Sequence, residues 1–262
     1  MIEFPNIDPV ALNVGPFSIR WYGLAYAISF ILAYQLLILI TKKPIYKATG
    51  ITRAYLDDLL FYGILCVVIG GRLGHVMLYT PSWLWREPLQ IFKIWEGGMS
   101  FHGGFLGVVV ASYYLYKKYK ISVLITFDLI ATVAPIGLFL GRIANFINAE
   151  LYGRITNVPW GIVFPGTDNA ARHPSQLYEA CFEGIGALML TMLLQNSRYN
   201  KYPGVICCAF TIYYGTVRIL IENFKEPEYL LWQSLTIGQA LSIPMVFGGV
   251  CTLVFLFMSK RR

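Results

Sequence analysis

The chain has little charge and few side chains that bind metals or react. Only 13% of its 262 residues are Asp, Glu, Lys or Arg, against 56% hydrophobic residues, and a soluble domain carries about twice that charge. So apolar a chain excludes both a water-soluble domain and a disordered one. Histidine is scarce: His75, His102 and His173 stand singly, with no His-Glu-x-x-His string and no carboxylate cluster, so a catalytic or structural metal is not expected. Cys66, Cys181, Cys207, Cys208 and Cys251 form no Cys-x-x-Cys pair and sit in apolar runs. They read as small hydrophobes rather than ligands or disulfides. The chain start lacks the basic region of a cleavable signal: Met1 to Ile19 carries Glu3, Asp8 and three prolines, which predicts an extramembrane arm over residues 1–20.

What is abundant is the apolar run of about 20 residues, the length that spans a bilayer as a helix. Such runs lie near 21–40, 56–79, 99–116, 123–147, 176–195, 203–224 and 237–258, the fifth interrupted by Glu179 and Glu183. The expected fold is all-α, a polytopic membrane protein of about seven transmembrane helices occupying 21–258. A longer extramembrane segment falls at 148–175 and a basic tail at 259–262.

The 21 Lys and Arg exceed the 14 Asp and Glu, but no basic amphipathic stretch or aromatic-basic platform suits nucleic acid. Position explains the excess. Lys42, Lys43, Lys47, Arg53, Lys117, Lys118, Lys120, Arg198, Lys201, Lys260, Arg261 and Arg262 fall on one side of the predicted spans. Arg20, Arg86, Lys93, Arg154, Arg172 and Lys225 fall on the other. The positive-inside rule then places the N-terminus outside and the C-terminus in the cytoplasm. Asp57, Asp58 and Asp128 read as interfacial charges near the cytoplasmic helix ends.

Arg72, Arg142 and Arg218 remain, each inside a predicted span. An arginine in hydrocarbon needs protein or water around its charge. At 1.5 Å rise per residue all three lie roughly 7 to 11 Å below the outward helix ends, where His102 and Tyr22 also open their helices. Snorkelling would explain one such arginine. Three at a matched depth, with Asn145, Asn148 and Glu150 shortly after Arg142 and His102 at the same outward level, point to a polar pocket. Gly70-x-x-x-Gly74, Gly103-x-x-x-Gly107 and Gly137-x-x-x-Gly141 offer small-residue faces for close helix packing.

Guanidinium forks match phosphate oxygens, and the phosphate found at that depth is a phospholipid headgroup. A serine protease is a poorer fit, because Ser100 and His102, two residues apart on a helix, face different ways. Glu179 and Glu183 suit either a proton-linked transport site or ion pairs with the arginines. A transporter of a lipid or small anion is therefore the alternative to an enzyme, and a nonenzymatic scaffold a third reading; polarity confined to the outer half favours the enzyme.

Three strings are specific. Met99-Ser100-Phe101-His102-Gly103-Gly104, the run Gly141-Arg142-Ile143-Ala144-Asn145-Phe146-Ile147-Asn148-Ala149-Glu150-Leu151-Tyr152-Gly153-Arg154, and His173-Pro174-Ser175-Gln176-Leu177-Tyr178-Glu179 closely resemble the prolipoprotein diacylglyceryl transferase family of bacteria. Trp21-Tyr22-Gly23-Leu24, Gly70-Gly71-Arg72-Leu73-Gly74 and Tyr214-Gly215-Thr216-Val217-Arg218 with Glu222 support the resemblance, which runs from the arm to the last helix.

The resemblance implies a seven-helix enzyme of the bacterial inner membrane with its active site toward the periplasm. Its substrates would be phosphatidylglycerol and a prolipoprotein signal peptide bearing a lipobox cysteine. The diacylglyceryl group passes to the cysteine thiol and glycerol phosphate is released, with no cofactor. By resemblance, Arg142 contacts the lipid headgroup and Arg218 is the second essential arginine. Tyr22, His102, Asn145, Gly153, Tyr214 and Glu222 match positions important for activity, Glu150 also matches, Gly97 and Gly103 match pocket glycines, and Arg72 joins the substrate-binding set. The nucleophile belongs to the substrate, so the chain's own cysteines have no chemical task. A thiol of pKa about 8.5 benefits from a base, for which His102 is the first candidate and Glu150 the second; alternatively His102 only orders its helix start or the lipid. Two positions depart from the family pattern: Lys225 stands where arginine is common and loses the fork, and Phe105 replaces an aliphatic residue.

Overall fold

The computed structural model of the chain describes residues 2–5, 7–226, 230–231 and 235–259. Long helices dominate the described residues: α1 (Trp21–Thr41), α2 (Arg53–Leu78), α3 (Phe101–Tyr119), α4 (Val123–Ile147), α5 (Ser175–Gln195), α6 (Val205–Ile221) and α7 (Ile237–Ser259). Each coincides within a few residues with an apolar run read from the sequence. Six of them are long and apolar enough to cross a membrane, and the protein is a polytopic membrane protein. The helix outside that set is α3, whose glycines, tyrosines and closing Lys117 and Lys118 dilute its apolar character. Large apolar side chains such as Ile31, Leu39, Phe247 and Phe255 stay exposed, as expected where lipid rather than protein covers a helix face. The tail residues Lys260, Arg261 and Arg262 lie outside the described residues.

Residues 37–127 form one compact unit. Its centre is the antiparallel pairing of α2 with α3, where glycine meets glycine. A β-carbon on Gly74 would lie 2.8 Å from Gly103 Cα, and one on Gly107 would strike the Cys66 carbonyl. Two of the three anticipated small-residue faces therefore bring these backbones together. Both helices begin on hydroxyl caps, Thr52 Oγ1 accepting from the Tyr55 amide at 3.2 Å and Ser100 Oγ from the Gly103 amide at 3.3 Å, which satisfies amides a helix start leaves unpaired. At the other end of the pair Asp58 accepts from Lys118 Nζ at 2.6 Å and from the Tyr119 hydroxyl at 2.7 Å.

Residues 1–36 and 128–262 form the second unit. Two expectations need correcting here. The third small-residue face is not used: a β-carbon at Gly137 or Gly141 would meet no described atom within 4 Å. Instead α4 approaches α5 through Phe139, whose Cβ would sit 2.6 Å from a β-carbon on Gly184. Asp128 is not an ordinary exposed helix-end charge. It is 3% exposed and accepts from the Gly204 and Cys207 amides at 2.6 and 2.7 Å, closing the N-terminus of α6, where the helix dipole favours a carboxylate. At the start of α7, Thr236 and Gln239 cap each other reciprocally at 3.2 Å, a capping box.

The all-helical expectation is also incomplete. The arm contains β1 (Ile2–Glu3) and a hairpin of β2 (Val10–Val14) with β3 (Phe17–Arg20), and the segment between α4 and α5 contains β4 (Ile162–Val163) and β5 (Ala171–Arg172). β1 runs parallel to β4, and β4 antiparallel to β5. Phe4 follows β1 and packs 5.3 Å from Phe146 and 5.4 Å from Phe164, so arm, α4 end and connecting segment share one small apolar core.

Candidate active site

α5 is not wound uniformly. Ser175–Glu179 is α-helical, Ala180–Gly186 forms a π-helical segment, and Ala187–Gln195 resumes the α-helix. Wider turns of this kind are frequent at functional sites. Here the segment begins just after Glu179 and contains Glu183, both fully buried. Buried carboxylates in an apolar span need cations, and two helices supply them. Arg142 of α4 lies 3.4 Å from Glu179 Oε1 and 3.3 Å from Glu183 Oε2. Arg218 of α6 bonds Glu179 closely and stands 3.4 Å from Glu183 Oε1.

Beyond the end of α6 the cluster gains two members. Glu222 Oε2 is 3.3 Å from Arg218 Nη2, one turn away, and Lys225 Nζ is 3.1 Å from Glu179 Oε1. Arg142, Arg218 and Lys225 thus face Glu179, Glu183 and Glu222, three cations against three anions. The substituted Lys225 makes a single-point contact, as a lysine must.

Arg218, Glu222 and Lys225 also line a cavity of about 430 Å³, together with Leu151, Tyr152 and Gly238, a size typical of small-ligand sites. Gly238 belongs to the first turn of α7, and a β-carbon there would lie 2.7 Å from the Glu222 carboxylate. The missing side chain is what lets Glu222 approach the positive end of that helix.

Past α4 the chain turns sharply, Ala149 and Leu151 adopting left-handed φ values of 52° and 57°. The turn folds Glu150 back so that its Oε1 accepts from Asn145 at 2.7 Å and Asn148 at 3.5 Å. Arg142 and Asn145, three residues apart, share one face of α4. Gly153 then crosses the strip after α6. Its amide donates to the His173 carbonyl at 2.8 Å, the next amide, of Arg154, donates to the Phe224 carbonyl at 3.0 Å, and Arg154 Nε reaches the Lys225 carbonyl at 2.8 Å. A β-carbon on Gly153 would collide with the Phe224 carbonyl and lie 2.7 Å from His173 Cβ. His173 itself lies outside the spans, bonded to the Tyr178 hydroxyl at 3.1 Å, and partial burial holds its imidazole below the usual histidine range.

The aromatic candidates occupy helix faces in the same unit. The Tyr22 and Tyr26 hydroxyls are 3.3 Å apart on α1. Tyr214 stacks on Phe210 with centroids 5.8 Å apart, one turn before Arg218.

In the unit of residues 37–127, Arg72 is 2% exposed and its donors go to backbone carbonyls: Gln90 at 2.5 Å, Ile91 and Lys93 at 3.0 Å, Gly98 at 3.2 Å, and Gly97. It clasps the loop leading to α3. Gly97 and Gly98 have φ of 84° and 79°, and a β-carbon on Gly98 would lie 2.6 Å from His75 Nε2. Gly103 is buried in the α2–α3 contact. His102, exposed on the first turn of α3, meets the Phe101 ring edge-on at 5.8 Å, and among the described residues its ring nitrogens make no hydrogen bond.

Of the residues singled out from the sequence, then, Arg142, Arg218 and Glu222 are brought into one charged cluster, Asn145 and Glu150 into a second contact, and Gly153 against the strip carrying Lys225. Glu179 and Glu183 form the ion pairs with the arginines that were one of their two readings from the sequence. Their signal was present as two carboxylates four apart in an apolar run, but only folding shows that both face the same arginines.

Comparisons with known proteins span the residues that form this site. A family model of prolipoprotein diacylglyceryl transferase matches residues 9–255. The chain is 46% identical over 263 residues to the phosphatidylglycerol–prolipoprotein diacylglyceryl transferase of Nitrosomonas europaea, covering 98% of this chain and 92% of that protein. It is 48% identical over 255 residues to the protein of the same name from Rickettsia canadensis, covering 94% and 95%.

Proposed function

The chain belongs to the prolipoprotein diacylglyceryl transferase family, and from that premise we propose how its residues divide the work. The protein is a membrane transferase that moves the diacylglyceryl group of phosphatidylglycerol to the lipobox cysteine of prolipoproteins. The substrate thiolate attacks the C3 carbon of the diacylglyceryl group, a C–S bond forms, the C–O bond to phosphate breaks, and glycerol phosphate leaves with the electron pair.

The observation that carries the assignment of roles is the cavity bordered by Arg218, Glu222 and Lys225, with Arg142 joined to Arg218 through Glu179 and Glu183. An isolated pair of buried arginines would be prohibitively charged. Balanced by carboxylates, they stay buried and oriented, and their forks meet a phosphate and the charge that grows on it as it departs. Asn145 and Glu150 shape the neighbouring turn, Tyr22 and Tyr214 contribute hydroxyls toward the lipid, and Gly153 holds the segment after α4 against Lys225. Arg72 acts through the loop it clasps, fixing Gly97 and the start of α3, where Gly103 allows the helices to close. His102, whose ring makes no hydrogen bond among the described residues, takes the thiol proton on its unprotonated nitrogen; Glu150, already engaged by Asn145 and Asn148, is the less available acceptor.

We further propose that α3 spans as a seventh membrane helix, with residues 1–20 and 148–175 on the periplasmic side of the bacterial inner membrane and the C-terminus in the cytoplasm. The distribution of lysine and arginine between the connections supports this orientation.

The test is transfer of labelled diacylglycerol from phosphatidylglycerol to a lipobox peptide by purified protein. Arg142→Ala and Arg218→Ala are expected to lose at least about 100-fold in rate, the scale of removing one transition-state donor. Near-normal rates in both variants would refute the roles given to the arginines. Labelling a cysteine introduced at Lys118 from outside intact cells tests orientation, and ready labelling would reverse it.

A further inference from the structure

Asp128 is buried, charged and distant from the proposed chemistry, and the mechanism above gives it no task. Its geometry suggests one. The carboxylate projects from α4 and accepts from two amides at the start of α6, Gly204 at 2.6 Å and Cys207 at 2.7 Å. Arg142 lies fourteen residues further along α4, and Arg218 fourteen residues beyond Gly204 along α6. At 1.5 Å per residue both are about 21 Å from the same tie point. Two helices pinned there and running the same way deliver their guanidiniums at one level, and both do reach Glu183, at 3.3 and 3.4 Å.

A second bond ties in the helix that carries the carboxylates. Thr132, one turn after Asp128, donates to the Asp128 carbonyl at 2.7 Å and accepts from Gln195 at the end of α5 at 2.9 Å. Asp128, Thr132 and Gln195 are all nearly or fully buried. Apolar side chains alone would permit α4 and α6 to slide past each other, because dispersion contacts are non-directional. A carboxylate bonded to two named amides at a helix start does not.

We propose that Asp128 is a positioning residue that sets the axial register of α4 against α6, and through it the alignment of Arg142 with Arg218. This rests on the reading that those arginines hold the lipid phosphate.

The experiment uses the full-length protein with Asp128→Ala and Asp128→Asn, varying phosphatidylglycerol at saturating lipobox peptide and then the reverse. In Asp128→Ala the KM for phosphatidylglycerol is expected to rise about tenfold, matching the loss of hydrogen bonds to a charged group, while the KM for the peptide stays within about twofold. Asp128→Asn, whose amide oxygen replaces one acceptor, falls between, and carries the comparison alone if the alanine variant does not fold. Hydrogen exchange at the amides of residues 204–208 rises in either variant. A double-mutant cycle of Asp128→Asn with Arg218→Lys shows losses in kcat/KM that do not add. The proposal is overturned if transfer falls only with the folded fraction at unchanged KM, if exchange at 204–208 is unaltered, or if the cycle is additive. Failure of the phosphate reading shows separately, as full activity in Arg142→Ala and Arg218→Ala with the exchange increase still present.

Discussion

Arg142 and Arg218 lie on different helices yet meet the same carboxylate, Glu183, at 3.3 and 3.4 Å. Each guanidinium is mostly buried, and each carboxylate oxygen of Glu183 answers one of them. The side chain therefore acts as a strut between the arginines as well as their counter-ion.

That arrangement predicts a large stability cost for Glu183→Gln, which leaves two buried cations short of one anion. A loss of about 3–5 kcal/mol is expected for breaking a buried ionic group. Asp58→Asn removes a partner of half-exposed Lys118 and is expected to cost at most about 1 kcal/mol. Thermal unfolding of both variants in one detergent gives the comparison, and equal losses would contradict the strut.

Gly153 makes a steric prediction. A β-carbon there meets the Phe224 carbonyl and His173, all backbone or near-backbone atoms with little freedom to move. Gly153→Ala is expected to cost about 1–3 kcal/mol, as overpacking does, and to depress transfer further by shifting Lys225 from the cavity edge. Unchanged transfer with normal stability would show that the clasp is looser than its geometry implies.

How much of this was legible in the sequence depends on the length scale of the signal. The helices were legible because a spanning helix must be apolar for about twenty residues, and nothing else in a membrane chain is. The two-residue strands were not: Ile2–Glu3 and Ala171–Arg172 are too short for any alternation. Arg142 and Arg218 are legible by charge in an apolar context, whereas Glu222 is reached only through the family resemblance. Asp128 was misjudged because its number places it near a helix start, while its partners, Gly204 and Cys207, are more than seventy residues away. Gly137 and Gly141 matched a packing pattern that spacing alone cannot tell from coincidence, and Phe139 makes the contact instead.

Lys225 separates charge from fork. Its single contact with Glu179 and its place at the cavity predict that Lys225→Arg keeps the pair and stays within about threefold of the parent rate. Lys225→Gln leaves Glu179 with less cation and is expected to raise the KM for phosphatidylglycerol about tenfold, the order of one charge-assisted hydrogen bond. Initial rates against lipid concentration decide it, and a variant Lys225→Gln with unaltered KM would remove Lys225 from the lipid site.

His173 gives a pH prediction outside the spans. Burial lowers its folded pKa relative to about 6.5 in an unfolded chain. Between the two values the unfolded state binds more protons, so stability rises with pH. The neutral ring's contribution is fully present above the unfolded pKa and is lost as pH falls through the folded one. Melting temperature measured from pH 8 down to 5 is therefore expected to drop more steeply in the parent than in His173→Gln, whose side chain does not titrate. The protonated ring must also be accommodated beside Phe224 and Tyr178, which lie 5.2 and 5.8 Å from it. Acid should thus loosen the segment that Gly153 holds, and transfer activity should decline in the same window. Parallel melting curves for the two proteins would show that His173 stays neutral, or is solvated, in both states.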